Sequence, residues 1–415
     1  MKNNISLVFY VFLSLLIYSC TKNHITPDQK TNIIILPPNG TTVIHASNQF
    51  AFDFFRATLQ NDEVANNKLI SPLSIYLALS MVYNGADNAT KDSIEIALRL
   101  QGIDMKSVND LCNTLITSLP YEDNKVQLSI ANSIWYRQNS YQPFPAFLNS
   151  VHDNYKASVT PLNFDDPNAV TTINNWVSEQ TNQKIPSVLQ SIAPGDLMFL
   201  INAVYFNGSW KYAFKSSNTS NDAFYLADGT TKSVPFMKQK ITTQFFADNS
   251  FKMIELPYGG GNSFSMYILQ PVNQERSLES FALSLNENML KNAINNMDSI
   301  NIDVQIPKWE YAYEIQNMKP ELSKLGMGIA FSDLADFSKI YAPAKVNISK
   351  AIHKAYIKVN EEGTEAAAVT VIGMQTTSFP SIPTFKSDHP FLYTIIEKQT
   401  GAVLFLGTVN DPQSK

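Results

Sequence analysis

Residues 361–379 read EEGTEAAAVTVIGMQTTSF, and this stretch is decisive for how the chain is understood. Read at a period of two, Thr364, Ala366 and Ala368 share one face, and Glu365 lies on the other. Small side chains on one face and a charge on the opposite face suit a strand that slides into a crowded sheet. The stretch also lacks proline, which would remove a ladder hydrogen bond. Taken alone, the stretch fits an ordinary exposed loop or helical turn as well as it fits such a strand, so the alternatives stay open.

Several helices are marked by their end residues. Ser71-Pro72 supplies an N-cap and a proline at the first helical position, and Gly85 ends a helix that is apolar on every side. Such a helix belongs in the interior. A second helix is predicted over Pro167–Lys184, and a third is closed by Gly326.

Alternating or continuous apolar runs predict strands. They lie at residues 126–130, 264–268, 302–306, 391–396 and 402–406. Asp228-Gly229 indicates a hairpin turn, and the glycines at 259–261 indicate a loop between two strands. Helices and strands interleave without a regular βαβ rhythm, and no long linker interrupts them. The sequence therefore predicts one large domain of the α+β class.

Composition and motifs exclude several classes of function. The chain has 415 residues, of which 44% are hydrophobic, and a formal net charge of -5 without a basic stripe, so we expect no nucleic-acid partner. Five scattered histidines and no C-x-x-C pattern argue against zinc, and we expect no metal and no cofactor. No nucleophile-elbow, zincin, P-loop or dinucleotide motif occurs, so we expect no enzyme. A hydrolase whose triad is assembled only in space stays open as an alternative.

The first 41 residues resemble an export signal followed by a tether. An apolar run from Ile5 to Tyr18 is too short to span a bilayer comfortably and ends at Cys20. This arrangement resembles a bacterial lipoprotein box, which predicts a signal peptide at 1–19, a lipidated tether at 20–41 and a folded domain at 42–415. A plain cleaved signal and an uncleaved anchor are the alternatives. Residues 33–36 are a candidate short strand, and Cys112 is expected to be a buried apolar residue.

The order and spacing of many short motifs over more than three hundred residues resemble the serpin family. The matching segments are residues 69–75 (LISPLSI), 202–210 (NAVYFNGSW), 255–258 (ELPY), 306–308 (IPK), 325–327 (LGM), 335–338 (ADFS), 353–355 (HKA), 359–368 (VNEEGTEAAA), 389–391 (HPF) and 405–407 (FLG). The resemblance implies the serpin fold, with three β-sheets, eight or nine helices and an exposed reactive-centre loop.

The resemblance also implies an inhibitor that acts as a suicide substrate. A protease cleaves the loop, forms an acyl-enzyme and is trapped when the loop enters the main sheet as a new strand. The hinge is then Glu361, Gly363, Thr364, Glu365, Ala366, Ala367 and Ala368. Its inward positions carry no proline and no bulky or charged residue, which favours an inhibitor over a non-inhibitory binding protein of the same fold.

The family's spacing places the reactive bond at Thr376-Thr377 or at Thr377-Ser378, depending on the direction of counting. Cleavage after Met374 is a minor alternative. Threonine before the bond suits the narrow pockets of elastase-like or subtilisin-like enzymes and argues against trypsin-like targets.

The resemblance also assigns residues that control sheet opening. Ser71, Ser74, Asn202 and His353 match the family's buried polar cluster beneath the main sheet, and Trp210 matches the tryptophan where insertion starts. A hydrogen-bond network there can hold two strands together until the loop arrives. Lys358 departs from the family, because many relatives carry an acidic residue at its position.

The expected partners follow from these assignments. The expected targets are elastase-like or subtilisin-like serine proteases. The protein is expected to be a monomer that a lipid on Cys20 holds at the membrane. The expected location is the outer membrane, on its surface or its periplasmic face.

Overall fold

A computed structural model describes residues 33–62, 66–138, 142–273, 277–342, 346–364 and 382–413. The α-helices within these ranges are α1 Gly40–Asn61, α2 Pro72–Tyr83, α3 Asn88–Ala97, α4 Met105–Ser118, α5 Pro145–Tyr155, α6 Ala169–Gln180, α7 Leu278–Ser284, α8 Glu287–Asn295 and α9 Lys319–Leu322. The strands are β1 Lys68–Ile70, β2 Val126–Arg137, β3 Ser158–Leu162, β4 Met198–Ser209, β5 Ser220–Tyr225, β6 Thr231–Ala247, β7 Phe251–Pro257, β8 Phe264–Pro271, β9 Asp298–Pro307, β10 Trp309–Ile315, β11 His353–Val359, β12 Gly363–Thr364, β13 Thr384–Lys386, β14 Phe391–Glu397 and β15 Val403–Val409.

The strands of the described ranges form three sheets. A nine-stranded sheet runs β1-β15-β14-β8-β7-β6-β9-β13, with β5 paired to β6. A four-stranded sheet runs β12-β4-β2-β3, and β10 pairs with β11 in a separate two-stranded sheet. Mixed sheets with interspersed helices confirm the predicted α+β class.

The predicted apolar elements form the core. Helix α2 is buried along almost its whole length, and strands β14 and β15 are buried at every position. Ser71 caps α2 by accepting a hydrogen bond from the backbone N–H of Ser74, as its position before Pro72 predicted. The predicted turns at Asp228-Gly229 and at residues 259–261 also occur, between β5 and β6 and between β7 and β8.

Two predictions of local structure were wrong. Helix α6 ends at Gln180 instead of continuing to Lys184, because Asn182 and Gln183 have positive φ angles of 49° and 64° that no helix accommodates. The candidate strand at residues 33–36 has no regular structure.

Residues 33–36 are nevertheless fixed to the domain. The side chain of Gln399 accepts a hydrogen bond from the backbone N–H of Ile34 at 3.0 Å and donates one to its carbonyl at 2.6 Å. Ile34 is buried, and Gln399 lies in the turn between β14 and β15. The segment is therefore bound through its backbone by one side chain, which a strand pattern in the sequence does not indicate.

Single residues also match their predicted environments. Cys112 is a free, buried thiol whose pKa burial raises to about 12, which confirms a packing role. In the described part of the chain, no helix is both long and apolar enough to cross a bilayer, and no group of acidic, histidine or cysteine side chains could hold a metal ion.

Candidate functional site

A tight turn leads from β11 into the predicted hinge. The side-chain oxygen of Asn360 accepts hydrogen bonds from the backbone N–H groups of Glu362 and Gly363, at 3.0 and 3.2 Å. The backbone N–H of Asn360 donates to the carbonyl of Gly363 at 3.0 Å. Asparagine is favoured in such turns because its side chain substitutes for a backbone acceptor. The chain therefore reverses and emerges beside β4.

Gly363 permits a close approach of two backbones. Its φ is 150°, and a Cβ atom placed there would lie 2.1 Å from the carbonyl oxygen of Gly208. Only glycine can therefore occupy this position. Gly363 and Thr364 pair antiparallel with Ser209 and Gly208, so these two hinge residues already form a strand on the edge of β4.

The side chain of Thr364 points into the core. It is buried, and its hydroxyl shares a hydrogen bond of 2.6 Å with the hydroxyl of Tyr258. The Tyr258 ring stacks on Trp210 with centroids 4.5 Å apart. The indole N–H of Trp210 donates to the carbonyl of Asn360 at 2.9 Å. Trp210 and Tyr258 together therefore hold both ends of the hinge turn.

Glu361 is fixed by two donors although it is only 8% exposed. Its carboxylate lies 2.8 Å from the ammonium of Lys308 and accepts a 2.8 Å hydrogen bond from the hydroxyl of Thr219. Burial alone would raise the pKa of Glu361, but the hydrogen bonds from Lys308 and Thr219 outweigh it and hold the pKa below its ordinary value. The first hinge residue is thus an anchored anion.

Beyond the hinge, a cleft separates β4 from β11. Within the described ranges, the β4 edge that faces away from β2 pairs only with β12, and β11 pairs only with β10. Residues 204–206 of β4 and 356–358 of β11 line one depression next to Thr364. Further along, the same two strands line a cavity of about 260 Å³. An unpaired strand edge beside a cleft can accept a further strand.

His353 lies at the start of β11 and lines this cavity. Its Nε2 accepts a 3.1 Å hydrogen bond from the backbone N–H of Ser71, and the Ser71 hydroxyl donates to the carbonyl of Leu404 at 2.9 Å. Burial lowers the pKa of His353 to about 3, so its ring is neutral. Ser71, Ser74 and His353 therefore form one group that joins α2 to β11.

Asn202 belongs to a different group. Its amide donates to the side-chain oxygen of Asn132 at 2.7 Å, and the amide of Asn132 donates to the carbonyl of Tyr155 at 2.7 Å. Among the described residues, Asn202 makes no hydrogen bond to His353, although both line the same cavity. The structure thus brings Ser74, Asn202 and His353 to one cavity, with Ser71 bonded behind His353, but Asn202 belongs to a separate hydrogen-bonded group.

Several predicted residues lie outside the described residues. These are the hinge residues Glu365, Ala366, Ala367 and Ala368, the reactive-bond residues Thr376, Thr377 and Ser378, and the lipidation candidate Cys20. Lys358, the departure from the family pattern, is half-buried and pairs with Glu310 at 3.0 Å.

Sequence reasoning missed four residues of the site. Tyr258 and Thr219 bind the hinge side chains, Lys308 pairs with Glu361, and Asn132 holds Asn202. Asn132 carried a local signal, because it interrupts an inward-facing apolar series in β2. Tyr258 and Lys308 lie in the family-like segments 255–258 and 306–308, but neither these segments nor the surroundings of Thr219 link the residues to the hinge.

Comparisons with known proteins agree with this geometry. The family model described as "Serpin (serine protease inhibitor)" matches residues 45–412. An uncharacterized serpin-like protein of Methanosarcina mazei is 33% identical, covering 97% of this chain and 96% of that protein. The human leukocyte elastase inhibitor is 32% identical, covering 88% and 98%. The crystal structure of tengpin, a thermophilic serpin in its native state, has a TM-score of 0.82 and 34% identity, covering 89% and 94%.

The chain belongs to the serpin family, whose members are protease inhibitors and usually not catalysts. Nine α-helices and three sheets in the described ranges confirm the predicted fold.

Proposed function

We propose that this serpin traps serine-type proteases by cleavage and insertion of its reactive loop. The protease serine attacks the scissile carbonyl, the C–N bond breaks, and the loop stays esterified to the enzyme while its hinge enters the cleft between β4 and β11. The inhibitor supplies a conformational switch and no catalytic group. It acts as a monomer, because cleft and loop belong to one chain.

One observation carries this proposal: β12 is already paired with β4 at the head of the cleft, while the rest of that β4 edge has no strand partner among the described residues. Insertion therefore extends an existing two-residue strand and needs no new nucleation. Every second added residue contributes ladder hydrogen bonds to a β4 edge that otherwise lacks them in the described structure.

The register of β12 predicts where the inserted residues would lie. Gly363 pairs with Ser209 and Thr364 with Gly208, so a strand continued in this register would place Thr370 opposite Asn202. Because alternate residues share a face, Thr370 would point inward, as Thr364 does. It would then lie opposite Asn202, whose side-chain oxygen is buried without a hydrogen-bond partner in the described structure.

The proposed targets are elastase-like or subtilisin-like enzymes. Cleavage after Thr376 or Thr377 would present a small, uncharged side chain to the specificity pocket, which suits a narrow pocket and not one built for Lys or Arg. The relationship to leukocyte elastase inhibitors supports the same class of target.

Incubation with neutrophil-type elastase or subtilisin tests the proposal. We expect an adduct that survives boiling in detergent, and mass spectrometry of the released C-terminal peptide should begin at Thr377 or Ser378. Trypsin at the same concentration is the control protease and should give no adduct by cleavage at these threonines.

The variant Thr364→Arg tests insertion directly. Arginine would place a charge in a site that is only 4% exposed, so we expect cleavage at the same bond without an adduct. Ser217→Arg, which adds the same charge at an exposed position, is the matched control and should form adduct like the unmodified protein. Equal adduct yields in the two variants would contradict insertion.

A binding protein without trapping activity is the second candidate. The crystal structure of human thyroxine-binding globulin complexed with thyroxine has a TM-score of 0.82 and 27% identity, covering 91% of this chain and 100% of that one. Loop cleavage without an adduct across a broad protease panel would favour this candidate.

We further propose that a lipid on Cys20 holds the inhibitor at the outer membrane, on its surface or periplasmic face. Supporting this is the apolar run that ends at Cys20 in the sequence. In cells fed a labelled fatty acid, the full-length protein should become labelled. The variant Cys20→Ser should carry no label and should leave the membrane fraction. Cys112→Ser is the matched control and should keep both.

A further inference from the structure

The glycines at residues 259–261 form a loop that holds a carboxylate of the same chain. Oδ2 of Asp123 accepts hydrogen bonds from the backbone N–H groups of the second and third glycines, at 3.0 and 2.7 Å. Oδ1 accepts one from the N–H of Lys125 at 2.9 Å. A Cβ atom at Gly259, whose φ is 68°, would lie 2.2 Å from Oδ2, so only glycine fits there. The glycine loop is therefore shaped around the side chain of Asp123.

Asp123 lies where three strands meet at the head of the cleft. It is only 5% exposed and belongs to the turn that leads into β2. The first residue of β2, Val126, pairs with Gly208 of β4, which pairs on its other side with Thr364 of β12. The backbone N–H of Gly259 donates to the carbonyl of the last residue of β4 at 2.8 Å. One carboxylate thus ties the start of β2 to the glycine loop, beside the end of β4.

The glycine loop begins directly after Tyr258, which binds the hinge. The hydroxyl of Tyr258 bonds to that of Thr364, and its ring stacks on Trp210. Because the chain runs from Tyr258 straight into the loop, the hydrogen bonds that Asp123 accepts also restrict where the tyrosine can lie. Asp123 is therefore placed one step behind the contact between Tyr258 and Thr364.

We propose that Asp123 is a positioning residue for strand insertion: it holds Tyr258 where the tyrosine keeps Thr364 turned inward, so that the next loop residues can pair with β4. This role rests on the proposed function, in which insertion competes with hydrolysis of the acyl-enzyme. The ratio of adduct to cleaved inhibitor measures that competition, so slower insertion lowers the ratio. Loss of stability alone would not lower it, because a less stable starting state does not raise the barrier to insertion.

Gly259→Ala tests this role without removing the carboxylate. The new methyl group would push Asp123 away from the loop. Gly229→Ala is the matched control, because Gly229 also has a positive φ, of 83°, in a turn between two strands, but its Cβ would meet no atom within 4 Å. We expect Gly259→Ala to lower the ratio of adduct to cleaved inhibitor by roughly fivefold or more, the effect of one lost hydrogen bond, and Gly229→Ala to leave it unchanged.

Asp123→Ala should give the same defect by removing the carboxylate itself. Asp248→Ala is its control, because the Asp248 carboxylate also accepts two backbone N–H bonds, in the turn between β6 and β7. In the Asp123→Ala background, Gly259→Ala should lower the ratio no further than Gly229→Ala does, since the clashing carboxylate is gone. Asp123→Asn keeps one acceptor oxygen and replaces Asp123→Ala if that variant does not fold.

Two results would overturn the proposal. One is an equal ratio for Gly259→Ala and Gly229→Ala. The other is a ratio for the folded Asp123 variant that matches the unmodified protein.

Hydrogen exchange followed by mass spectrometry tests the positioning without any protease. The backbone N–H groups of Trp210 and Phe214 donate to carbonyls of the hinge turn at 2.9 and 2.8 Å, so their exchange reports how firmly that turn is held. We expect the peptide that carries them to exchange roughly fivefold faster or more in Gly259→Ala than in Gly229→Ala. Peptides from β14 should exchange alike in both variants.

The two measurements separate this role from the proposed function. If the unmodified protein forms no adduct with any protease, the proposed function fails, and hydrogen exchange still decides whether Asp123 positions the hinge. Equal exchange of the Trp210 peptide in Gly259→Ala and Gly229→Ala overturns the positioning.

Discussion

The hydroxyl of Thr364 lies 2.6 Å from the hydroxyl of Tyr258, and both side chains are buried. This contact joins the last described residue before the loop to the loop that connects β7 and β8. It holds the Thr364 side chain in the inward orientation from which an inserted strand would continue. Both groups are neutral hydroxyls, and each can be removed by a substitution that nearly keeps the shape of the side chain.

Removing either hydroxyl should therefore destabilise the protein, while removing both should be milder. We expect Tyr258→Phe and Thr364→Val each to lower the free energy of unfolding by about 1 kcal/mol or more, and the double variant to lose less than their sum. Urea unfolding measures this cycle. Tyr212→Phe, at an exposed site, should be neutral. Strict additivity would show that the hydrogen bond does not couple the two residues.

Gly363→Ala should abolish trapping without preventing cleavage. The added Cβ would lie 2.1 Å from a carbonyl oxygen, so β12 could not pair with β4. We expect at least about a tenfold loss of adduct, scored on gels as the ratio of adduct to cleaved inhibitor. Gly195→Ala meets no atom within 4 Å and has no positive φ, so it should behave like the unmodified protein. Normal trapping by Gly363→Ala would mean that the pairing is dispensable.

His353 should make the protein less stable in mild acid. Its pKa is about 3 in the folded state and about 6.5 when unfolded, so the unfolded state binds more protons below pH 6.5. Its contribution to stability is complete above pH 6.5 and falls as the pH drops toward 3, by at most about 1.4 kcal/mol per pH unit. Unfolding of His353→Gln at pH 7, 6 and 5 should show a shallower pH dependence than the unmodified protein. The variant His152→Gln, at an exposed histidine, is the control and should show the same pH dependence as the unmodified protein.

Glu122 should make the protein less stable as the pH rises, in the opposite direction to His353. Burial, together with the neighbouring Glu397, raises its pKa to about 9, whereas the unfolded value is about 4.3. The unfolded state therefore releases its proton first, and stability falls as the pH rises between these values. Glu122→Gln should be more stable than the unmodified protein at pH 8, by about 1 kcal/mol or more, and lose this advantage by pH 5. The exposed Glu179→Gln should show no such crossover.

Cys112 should be chemically inert until the protein unfolds. Its thiol is buried with a pKa raised to about 12, so almost no thiolate forms at neutral pH. In a Cys20→Ser variant, a thiol reagent such as Ellman's should label less than about a tenth of the native protein and one thiol per chain in urea. Rapid labelling of the native protein would show that helix α4 opens locally.

The sequence predicted the framework well because its signals are local. The cap at Ser71, the apolar strands β14 and β15 and the turn at Gly229 each depend on neighbouring residues. The end of α6 was misjudged, because the left-handed conformation of Asn182 and Gln183 leaves little trace in a pattern of apolar residues.

The sequence predicted which residues lie at the site, but it did not predict which of them contact one another. Asn202 and His353 were expected in one network, yet each bonds to its own wall of the cleft, because β4 and β11 share no ladder in the described structure. Tyr258 and Lys308 were noted as parts of family-like segments, but their contacts with the hinge were not predicted. Their roles depend on contacts between strands far apart in sequence, which a single chain without relatives does not encode as a pattern.

The bond between Gln399 and the backbone of Ile34 has a mechanical consequence. If the chain is held at a membrane by its start, tension along the tether enters the protein at the β14–β15 turn before it reaches α1. That turn joins two fully buried strands of the nine-stranded sheet, so a pull on the anchor would be carried by these two strands, and β4 and β11 beside the cleft would be left unloaded.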